Sequence, residues 1–215
     1  MLNTPRARRG MVTSPHHLAS QAGLAVLRDG GNAIEATIAM AATLAVVYPH
    51  MTGIGGDGFW IVAAPGGKPL AIDACGASGA NVSADLYRAR GLAEIPWRGP
   101  LAANTVAGTV SGWGEALSIA AEWGGRMPLA RLLEEAIWHA ENGFAVTASQ
   151  HQLTAQKLAE LRDVPGFADH FLPAGAPPAE GAAMRLPALG RTLRALAERG
   201  PDDFYRGALA RSIAA

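Results

Sequence analysis

The sequence has almost no sulfur chemistry, no excess of charge and no long uninterrupted apolar run. One cysteine, Cys75, stands among 215 residues. That excludes an intrachain disulfide and a thiolate metal cluster. Lys+Arg and Asp+Glu are 18 each, so nothing points to a nucleic-acid or anionic-membrane partner. The longest apolar stretch, Ala33 to Tyr48, is interrupted by Glu35, Thr37 and Thr43. It is too short and too polar to span a membrane and reads as a buried helix. Met1 to His17 is rich in arginine and lacks the apolar core of a secretory signal. The expectation is a cytoplasmic protein. No H-E-x-x-H occurs, and adjacent histidines such as His16-His17 should diverge on a helix. No metal and no cofactor are expected; N-capping or solvent exposure accounts for that pair.

Charged residues make up only 17% of the chain. Two readings stay open: another chain or segment covers part of the surface, or an Ala/Gly-rich composition leaves a plain one. The length allows one domain, or one and a half. Neither an internal repeat nor a sharp linker is visible.

What is present is mostly helical pattern. Residues 1–9 read as a disordered arm and Gly10 to Ser14 as a short strand. A helix is expected from His17 to Arg28, ended by Asp29-Gly30-Gly31-Asn32, which also caps the next helix, Ala33 to Val47. That second helix is apolar nearly all round, which predicts a central position. Phe59 to Ala63 and Pro69 to Ala74 read as a hairpin around Pro65-Gly66-Gly67-Lys68. Gly76 to Ala107 is loop-rich, with a short helix near Ala84 to Ala89. Further helices fit Val110 to Trp123, Leu129 to Asn142, Ala148 to Arg162, Pro187 to Arg199 and Pro201 to Ala214. Phe167 to Gly181 reads as a loop. The fold class is α/β (α+β), helix-rich with few strands.

Gly53-Ile54-Gly55-Gly56-Asp57-Gly58 matches G-x-G-x-x-G in letters. A dinucleotide site needs a strand before those glycines and a helix after them, and here the order is reversed. The glycines are therefore read as a helix-to-sheet crossover. Asp57 is expected to cap a loop amide, or to line a cavity. Gly76-Ala77-Ser78-Gly79-Ala80 lacks the last glycine of a nucleophile elbow. Trp97, Trp113, Trp123 and Trp138 read as core or interface anchors.

Four stretches, in order, carry a resemblance. They are Met11 to Ser20 with Gly30-Gly31-Asn32-Ala33; Pro49 to Phe59; Gly125-Arg126-Met127-Pro128-Leu129; and Gly200-Pro201-Asp202-Asp203-Phe204-Tyr205-Arg206-Gly207. Together they resemble the gamma-glutamyltransferase (gamma-glutamyltranspeptidase) family of N-terminal-nucleophile hydrolases, over most of the chain from Gly10 onward. Residues 10–215 look like the N-terminal portion of the large subunit. The resemblance implies part of an αββα sandwich, made as a precursor that cleaves itself before a threonine. That threonine would attack the substrate amide with its own α-amine as base, since such an amine titrates near neutral pH. It is not among these residues, so no catalytic residue is assigned to this chain. The implied partners are the remainder of the large subunit, a threonine-led small subunit and a small amide substrate. Alone, the 215 residues should not hydrolyse amides, and their core should lack strands supplied by the missing chain. The alternative is a binding module that kept the fold and lost catalysis.

One departure bears on substrate. Glutamyl-specific members carry Asp-x-Arg-Glu-x-Ala-Pro where this chain reads Asp73-Ala74-Cys75-Gly76-Ala77-Ser78-Gly79. Asp73 keeps the aspartate; Cys75 stands at the carboxylate-gripping arginine and Gly76 at the glutamate. A thiol cannot replace a bidentate fork, and losing a contact of about 1.5–3 kcal/mol costs about one to two decades of affinity. Glutathione becomes a poor candidate, and a branch acting on oxamate or cephalosporin-type acyl amides a better one. Asp73, Cys75 and Gly76 are candidate substrate-binding residues, with Arg98 as a compensating cation. Cys75 has no base partner in the sequence and reads as a pocket-lining or packing residue rather than a nucleophile.

Overall fold

Several helix ends in this protein fall where a backbone donor finds a side-chain acceptor or the chain reaches a glycine. The computed structural model describes residues 4 and 6–214. Helix α1 (His17–Arg28) starts at His16, whose side chain accepts the Leu18 N–H. Gly30, at φ +93°, lets the chain leave α1 in the left-handed region. Asn32 then opens α2 (Ala33–Val47): its side chain accepts from Ile34 and Glu35, and Glu35 accepts the Asn32 N–H in return. Helix α2 is buried almost all round, as its apolar pattern predicts.

Strands β1 (Gly58–Val62) and β2 (Leu70–Ala74) form an antiparallel hairpin with Trp60 opposite Ile72. Short helix α3 (Ala84–Arg88) lies in the following loop region. Helix α4 (Thr109–Glu122) packs on both hairpin strands. Gly112 permits that approach, since a Cβ there would stand 2.8 Å from the Ala74 side chain. Val62, Ile72 and Ala74 are buried on one hairpin face. On the other, Phe59 and Ile61 are 70% and 83% exposed, an apolar surface left uncovered here. Helix α5 (Leu129–Asn142) packs on α2, and α8 (Pro187–Arg199) packs on α5. Ile38, Val46, Trp113, Leu132, Leu133, Leu193 and Leu196 fill the core between them.

The mixed α/β architecture agrees with the sequence reading; several elements do not. Part of the arm expected over 1–9, residues 1–3 and 5, lies outside the described residues. No strand forms at Gly10 to Ser14. The Ser14 hydroxyl instead bonds the His16 carbonyl and Ser20, turning the chain into α1. Two-residue strands β3 (Phe144–Ala145) and β4 (Ala183–Met184) pair on either side of α6 (Ala148–Leu161) and one-turn helix α7 (Phe167–Phe171). The last expected helix is split into α9 (Asp203–Arg206) and α10 (Ala208–Ala214). The Asp203 carboxylate takes the Ala208 N–H at 3.0 Å and fills the space where a Gly207 Cβ would be. Trp113 is a core residue, but Trp97, Trp123 and Trp138 are exposed. No helix among the described residues is long and apolar enough to cross a membrane.

Candidate functional site

The glycine loop ends in a carbonyl that caps a distant helix. Gly56 O accepts from Gly108 N and Thr109 N, both at 2.9 Å, and from Thr109 Oγ1 at 2.8 Å. Residue 108 has no side chain to cap α4, so the loop supplies the acceptor. The Tyr205 hydroxyl accepts the Ser111 N–H and donates to Ala107 O, each at 2.8 Å. The Thr109 and Ser111 donors at the start of α4 are thus bonded within the protein.

This docking draws residues 104–109 against the end of the hairpin. Val106 N donates to Ala77 O at 2.9 Å. A Cβ on Gly76 would lie 1.4 Å from Val106 O, and one on Gly108 would lie 1.9 Å from Ala74 O. Position 76 therefore admits no side chain in this conformation, so a glutamate there requires a different path for residues 104–108. The sequence alone showed the absence of a glutamate but not the carbonyl that forbids one.

Asp57 joins the glycine loop to the departed motif. Its Oδ1 accepts the Gly76 N–H at 3.0 Å, and its Oδ2 accepts from Cys75 Sγ at 3.5 Å. Asp73 Oδ1 accepts the Cys75 N–H at 3.0 Å. The expected loop-amide cap by Asp57 is present, made to a residue 19 positions away. Asp57 also lines a cleft of about 300 Å³ with Thr52, Phe59, Thr109 and Trp113. Its bond to the thiol, reinforced by its charge, raises the Cys75 pKa above the ordinary value. Cys75 is exposed but held in the thiol form, the opposite of an activated nucleophile. Asp57 is the site residue that sequence reasoning undervalued; its signal was a carboxylate inside a run of glycines.

The structure brings Asp73, Cys75 and Gly76 together. Arg98 is engaged elsewhere, in an ion pair with Glu160 on α6, with its guanidinium 5.9 Å from the Trp97 ring centroid. Lys157 joins them at 2.9 Å, and the bonds from Lys157 and Arg98 hold the Glu160 carboxyl below its usual range.

A separate polar cluster surrounds the start of α1. The His16 and His17 rings stack at 4.7 Å rather than diverging, because His16 is an extended capping residue. His50 packs edge-on to Tyr48 at 4.3 Å and reaches Ser149 Oγ at 3.2 Å. Burial, then the charges of His17, His139 and His50, lower the His16 pKa from 6.5 to about 4.

Comparison with known proteins places this arrangement in context. A family-model match to gamma-glutamyltranspeptidase spans residues 19–215. The oxamate amidohydrolase proenzyme of Klebsiella pneumoniae is 57% identical over 206 residues, covering 95% of this chain and 39% of that protein. The structure of Helicobacter pylori gamma-glutamyltranspeptidase matches with a TM-score of 0.87 at 29% identity, over 98% of this chain and 60% of that one. Cephalosporin acylase from Bacillus halodurans matches with a TM-score of 0.83 at 33% identity, over 99% and 41%. The chain thus spans well under half the length of the Klebsiella relative.

Proposed function

This chain belongs to the gamma-glutamyltranspeptidase family, and we propose that residues 10–215 form the N-terminal part of the large subunit of a self-cleaving amide hydrolase. A threonine in a following segment is the nucleophile. Asp73, Cys75 and Gly76 form one wall of the acyl pocket, and the substrate is a small non-glutamyl amide such as oxamate. The observation that carries this reading is the Asp57–Cys75–Gly76 constellation. Where glutamyl-specific relatives present a guanidinium, this wall presents a thiol bonded to a carboxylate.

The chemistry of the donor supports it. In a γ-glutamyl amide the distal carboxylate is three carbons away from the scissile carbonyl, whereas in oxamate it is bonded directly to it. A short donor therefore does not need an anchor at position 75. The exposed hairpin face at Phe59 and Ile61 is the surface the remaining strands cover, since a sheet face that apolar is ordinarily buried. The location is cytoplasmic in this reading, with the single cysteine unpaired.

The test is expression of the full-length protein followed by N-terminal sequencing of its smaller fragment. Self-cleavage before a threonine, blocked when that threonine is replaced by alanine, is the expected result. An uncleaved protein with no amidase activity would favour the binding-module reading.

A further inference from the structure

We propose that Asp57 is a specificity-determining residue that, through its contacts to Cys75 and Gly76, closes that wall to acyl groups carrying a distal carboxylate. The accepted donors are then short ones, or ones uncharged at the distal end. This rests on the reading of Asp73, Cys75 and Gly76 as one wall of the acyl pocket.

Three observations support it. The carboxylate cannot swing away freely. Gly76 N–H holds Oδ1, and Thr109 Oγ1 donates to the Asp57 backbone carbonyl at 3.0 Å. Its charge is not neutralised either. Among the described residues neither Asp57 nor Asp73 has an ion-pair partner, and Cys75 between them is held protonated. Finally, position 76 offers no side chain to screen it, because the Val106 carbonyl fills the space where its Cβ would be. Among the described residues, an anionic donor end brought to Cys75 meets two carboxylates with no ion-paired cation between them.

The same geometry governs what an arginine at position 75 would do. With Asp57 Oδ2 only 3.5 Å from Sγ, an introduced guanidinium would be captured by Asp57 before it met a substrate. Cys75→Arg alone should therefore recover little glutamyl-type activity.

The experiment compares glutaryl and pentanoyl anilides, equal in acyl length and differing in the distal carboxylate. Both are assayed with full-length wild-type enzyme, Asp57→Asn, Cys75→Arg and the double variant. Asn retains an acceptor for Gly76 N–H, and a melting curve checks each variant. The expected result is a shift of the kcat/KM ratio toward the glutaryl donor of about fivefold in Asp57→Asn, the size of one exposed like-charge contact. The double variant should exceed the product of the two single effects. An unchanged ratio in Asp57→Asn, or a double variant no better than Cys75→Arg, would overturn the proposal. If no variant turns over either anilide, the amidase reading is judged separately by ammonia release from oxamate, and fails if none is released. Asp57 is then judged by calorimetric binding of glutarate: tighter binding to Asp57→Asn supports its role, and equal binding refutes it.

Discussion

The carboxylate of Glu35, on α2, accepts the backbone N–H of Met127 at 2.7 Å across 92 residues of chain. Its other oxygen takes the Asn32 N–H at 2.7 Å, and the Asn32 amide donates to Ala120 O at 3.0 Å. A Cβ on Gly125 would fall 2.7 Å from both Glu35 and Asn32 side chains. The Gly-Gly-Asn-Ala and Gly-Arg-Met-Pro stretches therefore form one interlocked joint. Two motifs that carried the family resemblance meet in this joint.

That joint gives the first prediction. Glu35 is buried, and truncating it leaves two backbone donors unpaired. Glu35→Ala should cost about 3 kcal/mol, and Glu35→Gln about 1–2, because one acceptor becomes a donor. Gly125→Ala should cost about 1–3 kcal/mol through overpacking against fixed backbone. The urea midpoint, read at unchanged slope, measures each. A midpoint unmoved by Glu35→Ala would mean the joint does not hold α2 to the α4–α5 turn.

Acid should weaken the fold through His16. Its Nδ1 accepts the Leu18 N–H at 3.2 Å, so protonation there breaks the cap. The facing groups are His17, His50 and His139, with Tyr48 beside the ring and Glu135 3.9 Å from His139. In the folded state the pKa is about 4 and in the unfolded chain about 6.5. As pH falls through that window the unfolded chain binds a proton that the folded one does not. The contribution is complete above 6.5, is lost progressively down to 4, and changes no further below. The loss is about 3 kcal/mol. His16→Asn keeps a capping acceptor and removes the titration, so its stability should vary less across the window. A variant with the wild-type slope would assign the acid sensitivity to other groups.

Cys75 should alkylate slowly for an exposed thiol. Asp57 stabilises its protonated form, and reaction needs the thiolate. Asp57→Asn should accelerate iodoacetamide labelling at pH 8, and the labelling rate of wild type should still be rising above that pH. Equal rates in the two proteins would show that the Sγ–Oδ2 contact does not persist in solution.

Much of the fold was legible because its helices carry local punctuation. Asp29-Gly30-Gly31-Asn32 marks both the end of α1 and the start of α2, and the bounds of α2, α5 and α8 fall where the sequence signals put them. The failures share a cause: a local preference was overruled by a distant or unexpected partner. Gly10 to Ser14 has strand-like letters but no strand beside it to pair with. Gly207 is tolerated inside helical sequence, yet the Asp203 carboxylate claims the next N–H and breaks the helix. Phe167 and Phe171, four apart, stack at 5.2 Å and support a single turn in a stretch whose composition reads as loop. The site was legible in part. The missing arginine and glutamate were visible in the letters. The contacts that replace them, Asp57 to Gly76 and Gly76 to Val106, span 19 and 30 positions and needed the fold.

The central claim is that this family member works on a small amide without a distal carboxylate anchor. It is tested most directly by kcat/KM of the full-length enzyme on oxamate, followed by ammonia release, against a γ-glutamyl anilide. Oxamate should be the better substrate by at least one to two decades, the contribution of the missing arginine contact. A γ-glutamyl anilide turned over faster than oxamate, with saturation at low concentration, would contradict the account and require a carboxylate anchor other than residue 75.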